Sequence, residues 1–100
     1  MNNTIKIAKY EIAKYEITKT DIRMSITKSF ASITYAQMYL KDMKERALKR
    51  NFSISKSTKN NLLIDLRKSG GKMWLFTVRK RISTHLNPKN VMEIQENYFK

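Results

Sequence analysis

The sequence predicts an α+β fold: a small single domain in which an antiparallel sheet of three or more strands carries two helices packed on one face. Three observations point there. Apolar residues recur at helical spacing from Ala36 to Ala47, they alternate with period two from Phe52 to Ile82, and an Asn87-Pro88 step opens a last amphipathic segment. The chain has 100 residues, 41% of them apolar, with a mean hydropathy of −0.57. That is the composition of one globular core rather than of a disordered basic tail.

Residues 1–28 form an N-terminal strand region containing a repeat. Ala8-Lys9-Tyr10-Glu11-Ile12 is followed by Ala13-Lys14-Tyr15-Glu16-Ile17 and by a degenerate third copy ending at Ile22. An odd period flips a strand residue to the opposite face, so the repeated isoleucines cannot share one buried stripe. The Ile, Thr and Tyr content favours strand. From Ile22 the alternation is clean, with Ile22, Met24 and Ile26 on one face.

A helix over 35–50 follows. Thr34 and Gln37 have the spacing of a capping box, and Ile33 and Met38 that of a hydrophobic staple. Ala36, Tyr39, Leu40, Met43 and Ala47 make one apolar stripe, leaving Lys41, Lys44, Glu45 and Lys49 outward. The helix should end near Asn51, where Arg46, Lys49 and Arg50 complement the negative end of its dipole.

Residues 52–83 read as an antiparallel meander. Phe52 and Ile54 alternate with serines, Lys56 to Asn61 turns the chain, and Leu62, Ile64 and Leu66 alternate with Leu63, Asp65 and Arg67. Ser69-Gly70-Gly71 suits a three-residue hairpin loop with Gly71 left-handed. The returning strand puts Trp74, Phe76, Val78 and Ile82 on a core face, with Trp74 largely buried. Met73, Leu75, Thr77, Arg79 and Arg81 take the other face, and Arg67, Arg79 and Arg81 are expected to point to solvent. Leu63, Met73 and Leu75 make that outer face mixed, suited to a nucleic acid, to a protein partner such as a second copy of the chain, or to coverage by the N-terminal repeat. Asn87 as N-cap and Pro88 as first helical residue then open a helix over 88–99 whose Val91, Ile94, Tyr98 and Phe99 face inward.

Absences narrow the chemistry. There is no cysteine, hence no disulfide or thiolate metal site, and the single histidine, His85, reads as a loop residue beside Pro88. The carboxylates sit beside lysines or on helix surfaces, so no triad or metal cluster assembles; no catalytic residue, metal ligand or cofactor is assigned. The absence of a signal-like apolar run or membrane span leads to an expectation of a cytoplasmic protein. Ile, Lys and Asn supply 34 residues, a bias typical of A/T-rich genomes such as those of many phages.

Charge supplies the functional expectation. The formal net charge is +13. Residues 49–89 hold eleven bases (Lys49, Arg50, Lys56, Lys59, Arg67, Lys68, Lys72, Arg79, Lys80, Arg81 and Lys89) against Asp65 alone, a balance of +10. Such a zone repels itself, and a polyanion relieves the repulsion. All of these bases except Lys89 are the candidate nucleic-acid contacts. A two-stranded ribbon fits a DNA major groove, and the small Gly70 and Gly71 allow close backbone approach.

The stretch Leu63 to Lys80, with its apolar strand, Gly-containing turn, Lys72-x-Trp74 and basic strand, resembles the hairpin of the arm-type DNA-binding domains of phage integrases, over about a fifth of the chain. It differs in having its helix before the sheet. The order strand, helix, basic antiparallel sheet and short helix also resembles RelE-type ribonuclease toxins. That likeness implies metal-independent RNA cleavage, for which Arg79, Arg81, His85 and Tyr98 have the residue types. The leading expectation is a non-enzymatic nucleic-acid-binding protein of a phage or other mobile element. An alternative is an anti-CRISPR-like inhibitor of a host nucleoprotein.

Overall fold

A computed structural model describes residues 8–81 and 88–100. Expectations for Ile82, His85 and Asn87 lie outside the described residues. The α+β class stands. Strands β1 (Tyr10–Ile17) and β2 (Ile22–Phe30) precede helix α1 (Ile33–Lys49). Then come β3 (Ser53–Ser57), β4 (Asn61–Leu66), a single helical turn α2 (Arg67–Gly70), β5 (Lys72–Lys80) and helix α3 (Lys89–Tyr98). The five strands form one antiparallel sheet in the order β2-β1-β5-β4-β3. The strand of the hairpin's return, β5, therefore lies at the centre, with the N-terminal hairpin docked along it from Tyr10 opposite Lys80 to Ile17 opposite Met73.

The two long helices do not share a face, which corrects the expected arrangement. Ala36, Leu40 and Ala47 of α1 pack on Ile12, Leu62, Ile64, Leu66, Phe76 and Val78. Val91 of α3, joined by Ile94, Tyr98 and Phe99, packs on Ala13, Tyr15, Ile17, Leu63, Met73 and Leu75. Along each strand these two sets alternate, so the sheet is the middle of three layers. Leu63, Met73 and Leu75, expected to lie on an open mixed face, are buried under α3. That face is covered by the chain's own last helix, not by the repeat. The unbroken apolar runs Leu62-Leu63-Ile64 and Met73-Trp74-Leu75-Phe76 are what a sheet buried on both faces requires.

The same geometry accounts for the repeat. With five residues between copies, Ile12 falls under α1 and Ile17 under α3, and both are fully buried. Glu11 and Glu16 are likewise sent to opposite faces. In β2 a bulge between the Lys28 and Ile26 pairings leaves Thr27 as the extra residue. Ile26 therefore pairs on the α3 side with Ala13, while Phe30 reaches the α1 side to stack on Tyr39.

Local signals shift by a residue or two. The cap of α1 is Ser32, whose hydroxyl accepts from Thr34 N at 3.2 Å. Gln37 is not part of a capping box; its amide donates instead to Asn60 Oδ1 at 2.8 Å. Ile33 and Met38, 39% and 60% exposed, form no buried staple. Ser32 and Thr34 are comparable caps chemically, and the bond from Gln37 to the β3–β4 turn selects between them. At the other end the expectation holds. Asn51 is left-handed (φ 61), Asn51 N donates to Leu48 O and Phe52 N to Ala47 O, a Schellman closure. The β4–β5 connection is the turn α2 rather than a three-residue loop, closed by Gly71 at φ 63, as expected, with Gly71 N donating to Arg67 O. Pro88 is itself the cap of α3, one position earlier than its expected place.

Candidate nucleic-acid interface

The ten expected contacts separate into three settings. Arg79, expected to face solvent, is only 17% exposed at its side chain and lies on the α3 face of β5. Its Nε donates to Glu11 Oε2 at 2.9 Å and its NH1 to Tyr15 Oη at 2.7 Å. It is structural, because Glu11 is buried and needs a cation beside it. Two of its five N–H donors are thereby committed within the fold.

Arg67 is also engaged. It grips Asp65 through two parallel bonds of 2.9 and 2.8 Å, donates NH1 to Tyr98 O at 2.9 Å, and lies 5.1 Å from the Tyr98 ring centre. The hydrogen bonds from Arg67 hold the Asp65 carboxyl below the usual carboxylate range, against partial desolvation, and the same bonds raise the guanidinium. Arg67 thus fastens the last turn of α3 to β4. Tyr98, whose hydroxyl pairs with Ser55 Oγ at 3.2 Å, belongs to the same fastening.

The remaining cations occupy the two ends of the sheet. Lys80 and Arg81 close the far end of β5, and Arg81 N donates to Lys9 O there. Lys59 joins them in the β3–β4 turn, where it rims a cavity of about 360 Å³ with Lys41 and Lys44. Lys56 points to the α3 side and lines a groove with Asn90 and Glu93. At the near end, roughly 26 Å away along the eight residue steps of β5, the C-terminus of α1 meets the β4–β5 turn. Arg50 lines a cavity there beside Trp74, Lys68 lines a second one with Asn51 and Phe52, Lys72 lies over the Trp74 ring, and Lys49 is exposed at the end of α1. The Schellman closure turns the chain so that Phe52 lies between these groups, contributing to one cavity with Arg50 and to another with Lys68.

The near end holds two groups that the charge count did not single out. Trp74, expected to be largely buried, packs against the α1-side core and keeps part of its ring accessible. It faces α1 as its alternation requires and lies in the wall of a cavity between the sheet and the C-terminal part of that helix. That cavity, about 240 Å³, is lined by Tyr39, Met43, Phe52, Ile64, Trp74 and Phe76, with Arg46 and Arg50 at its rim. Lys14, from the repeat, places Nζ 4.1 Å from the Trp74 ring centre, and Lys72 lies 5.4 Å from it. The one acid at this ring is Glu16, which accepts from Trp74 Nε1 at 3.1 Å and faces Lys72 Nζ at 3.6 Å. The bond from Trp74 lowers the Glu16 carboxyl below its ordinary range; burial opposes this, and the nearby Lys72 and Lys14 charges add to it.

Among the described residues, no three His, Cys, Asp or Glu side chains converge to hold a metal, and no helix is long and apolar enough to cross a membrane. The arrangement offers positive charge beside partly accessible aromatic rings. Lys14 could have been suspected from the repeat, since β1 buried on both faces must send one lysine of the repeat over the α1 layer. Compared with protein-family models, with curated proteins and with solved structures, the chain matches none.

Proposed function

We propose that this chain is a small nucleic-acid-binding protein of a phage or other mobile element that holds phosphate backbone at the near end of its sheet. The observation that carries this reading is the aromatic cavity at Trp74 with Arg46 and Arg50 in its lining and Lys14 and Lys72 over the ring, where the one carboxylate at the ring already accepts from Trp74. Cations held at the surface without acid partners gain most from phosphates, because counterions leave the nucleic acid as they bind. The grip differs from a simple cationic hairpin: the C-terminal end of α1 contributes to it, Arg79 is mostly covered, and Arg67, though exposed, is bound to Asp65 and Tyr98. It is a binding surface, with no nucleophile or general base assigned to it.

The test is the salt dependence of binding to a labelled oligonucleotide. With about five phosphate contacts, log affinity should fall against log salt with a slope of roughly −4 to −5 on duplex DNA and about −3.5 on a single strand. Replacing Lys49 and Arg50 together by Ala should reduce the steepness by about two. Replacing Lys80 and Arg81 should leave it nearly unchanged. Binding that ignores salt, or loss confined to the Lys80 and Arg81 variant, would overturn the assignment. A host protein still captured by the chain after nuclease treatment, in place of nucleic acid, would favour the inhibitor alternative.

A further inference from the structure

We propose that the cavity beside Trp74 is a stacking pocket for an unpaired nucleobase, so that the nucleic acid bound is single-stranded. This rests on the phosphate-binding reading and adds the class of strand. The ring is held before any ligand arrives. Its Nε1 is tied to Glu16 at 3.1 Å, and edge contacts with Phe52 (6.3 Å, 82°) and Phe76 (6.4 Å, 79°) set its plane. A platform already ordered loses little entropy on binding. The cavity at its side, about 240 Å³, is smaller than the roughly 300 Å³ at which pockets for drug-sized ligands begin. It suits one flat ring system entering between apolar walls.

Charge complementarity identifies the kind of ring. Arg46 and Arg50 rim the cavity, and Lys14 and Lys72 lie over the Trp74 ring. Arg46 is shared with Asp42 at 2.9 Å, and Lys72 with Glu16. Lys14 and Arg50 have no carboxylate partner among the described residues. A ligand for this place therefore combines an apolar flat face with flanking negative charge, as a nucleotide in a strand does. Stacking on an aromatic ring within a basic groove is the general means of holding single strands, because every base has a π-face. A paired base shows only its edges in the grooves, so a duplex cannot use the pocket. Lys14, over the ring and outside the cavity lining, is placed for a phosphate flanking the stacked base.

Trp74 is the chain's single tryptophan, so its own emission reports the pocket. The wild-type protein is titrated with a thymidine oligonucleotide, with a duplex of equal length, and with inorganic polyphosphate. The single strand should quench Trp74 and bind at least about tenfold tighter than the duplex, while polyphosphate binds without quenching. Trp74→Leu should lose roughly 5- to 100-fold of single-strand affinity and keep its duplex and polyphosphate affinity; Trp74→Phe should keep most of all three. Equal affinity for both strand forms without quenching would overturn the stacking pocket and leave the phosphate grip standing. Failure of all three polyanions to bind would overturn both. The quenching is read on the unaltered chain, so the outcome does not depend on how well either variant folds.

Discussion

Arg79→Ala should be among the most destabilising single substitutions in this protein, although the sequence presents Arg79 as one more surface cation. Glu11 is 4% exposed and Tyr15 1% exposed, and Arg79 satisfies both through bonds of 2.9 and 2.7 Å. Removing the guanidinium leaves a carboxylate in the α3 layer with neither its cation nor water. Stripping one partner from a buried pair costs about 3–5 kcal/mol, a large share of the roughly 5–15 kcal/mol that holds a domain folded. At about 4–8 °C per kcal/mol for a chain of this size, the melting temperature should fall by roughly 12–40 °C. Thermal unfolding followed by circular dichroism at neutral pH measures this directly. The double variant Glu11→Gln with Arg79→Met removes both charges and should recover much of the loss, and the double-mutant cycle gives the coupling. Arg81→Ala, on an exposed side chain two residues on, should change stability by no more than about 0.5 kcal/mol. If Arg79→Ala melts within about 4 °C of wild type and the double variant is no better, Glu11 and Arg79 are not a buried pair and the two-layered core is misassigned.

Two smaller effects follow from the same geometry. Ser32→Ala should cost about 1 kcal/mol in urea unfolding while Thr34→Ala costs little; the reverse order would restore Thr34 as the cap. Asp65 and Glu16 both have carboxyls lowered in the folded state, by the Arg67 bonds and by the Trp74 bond respectively. Their contribution is complete above about pH 4–5 and is lost as pH falls through the depressed folded values. Acid titration of stability should therefore show a decline setting in below about pH 5, smaller in Asp65→Asn; a decline already well advanced near pH 6 would point to other groups.

The sequence by itself determined what depends on neighbours in the chain. Helical spacing from Ala36 to Ala47 and period-two spacing through Leu62 to Val78 are set by backbone geometry. The left-handed ends at Asn51 and Gly71 follow from residues that tolerate positive φ. Composition likewise established the size of the positive charge. Tertiary structure decided which faces are covered and which charges remain. Periodicity divides a strand into two faces but does not say whether one or both are buried; that depended on which face the last helix packs against. Glu11 and Arg79 are 68 residues apart, and only the pairing of β1 with β5 brings them together and takes a cation from the surface. The same docking lays Lys14 over Trp74, and a cavity against α1 leaves that ring partly accessible. A charge count sums over the whole chain. A binding surface depends on which of those charges lack a partner within a few ångströms, and the fold alone sets those distances.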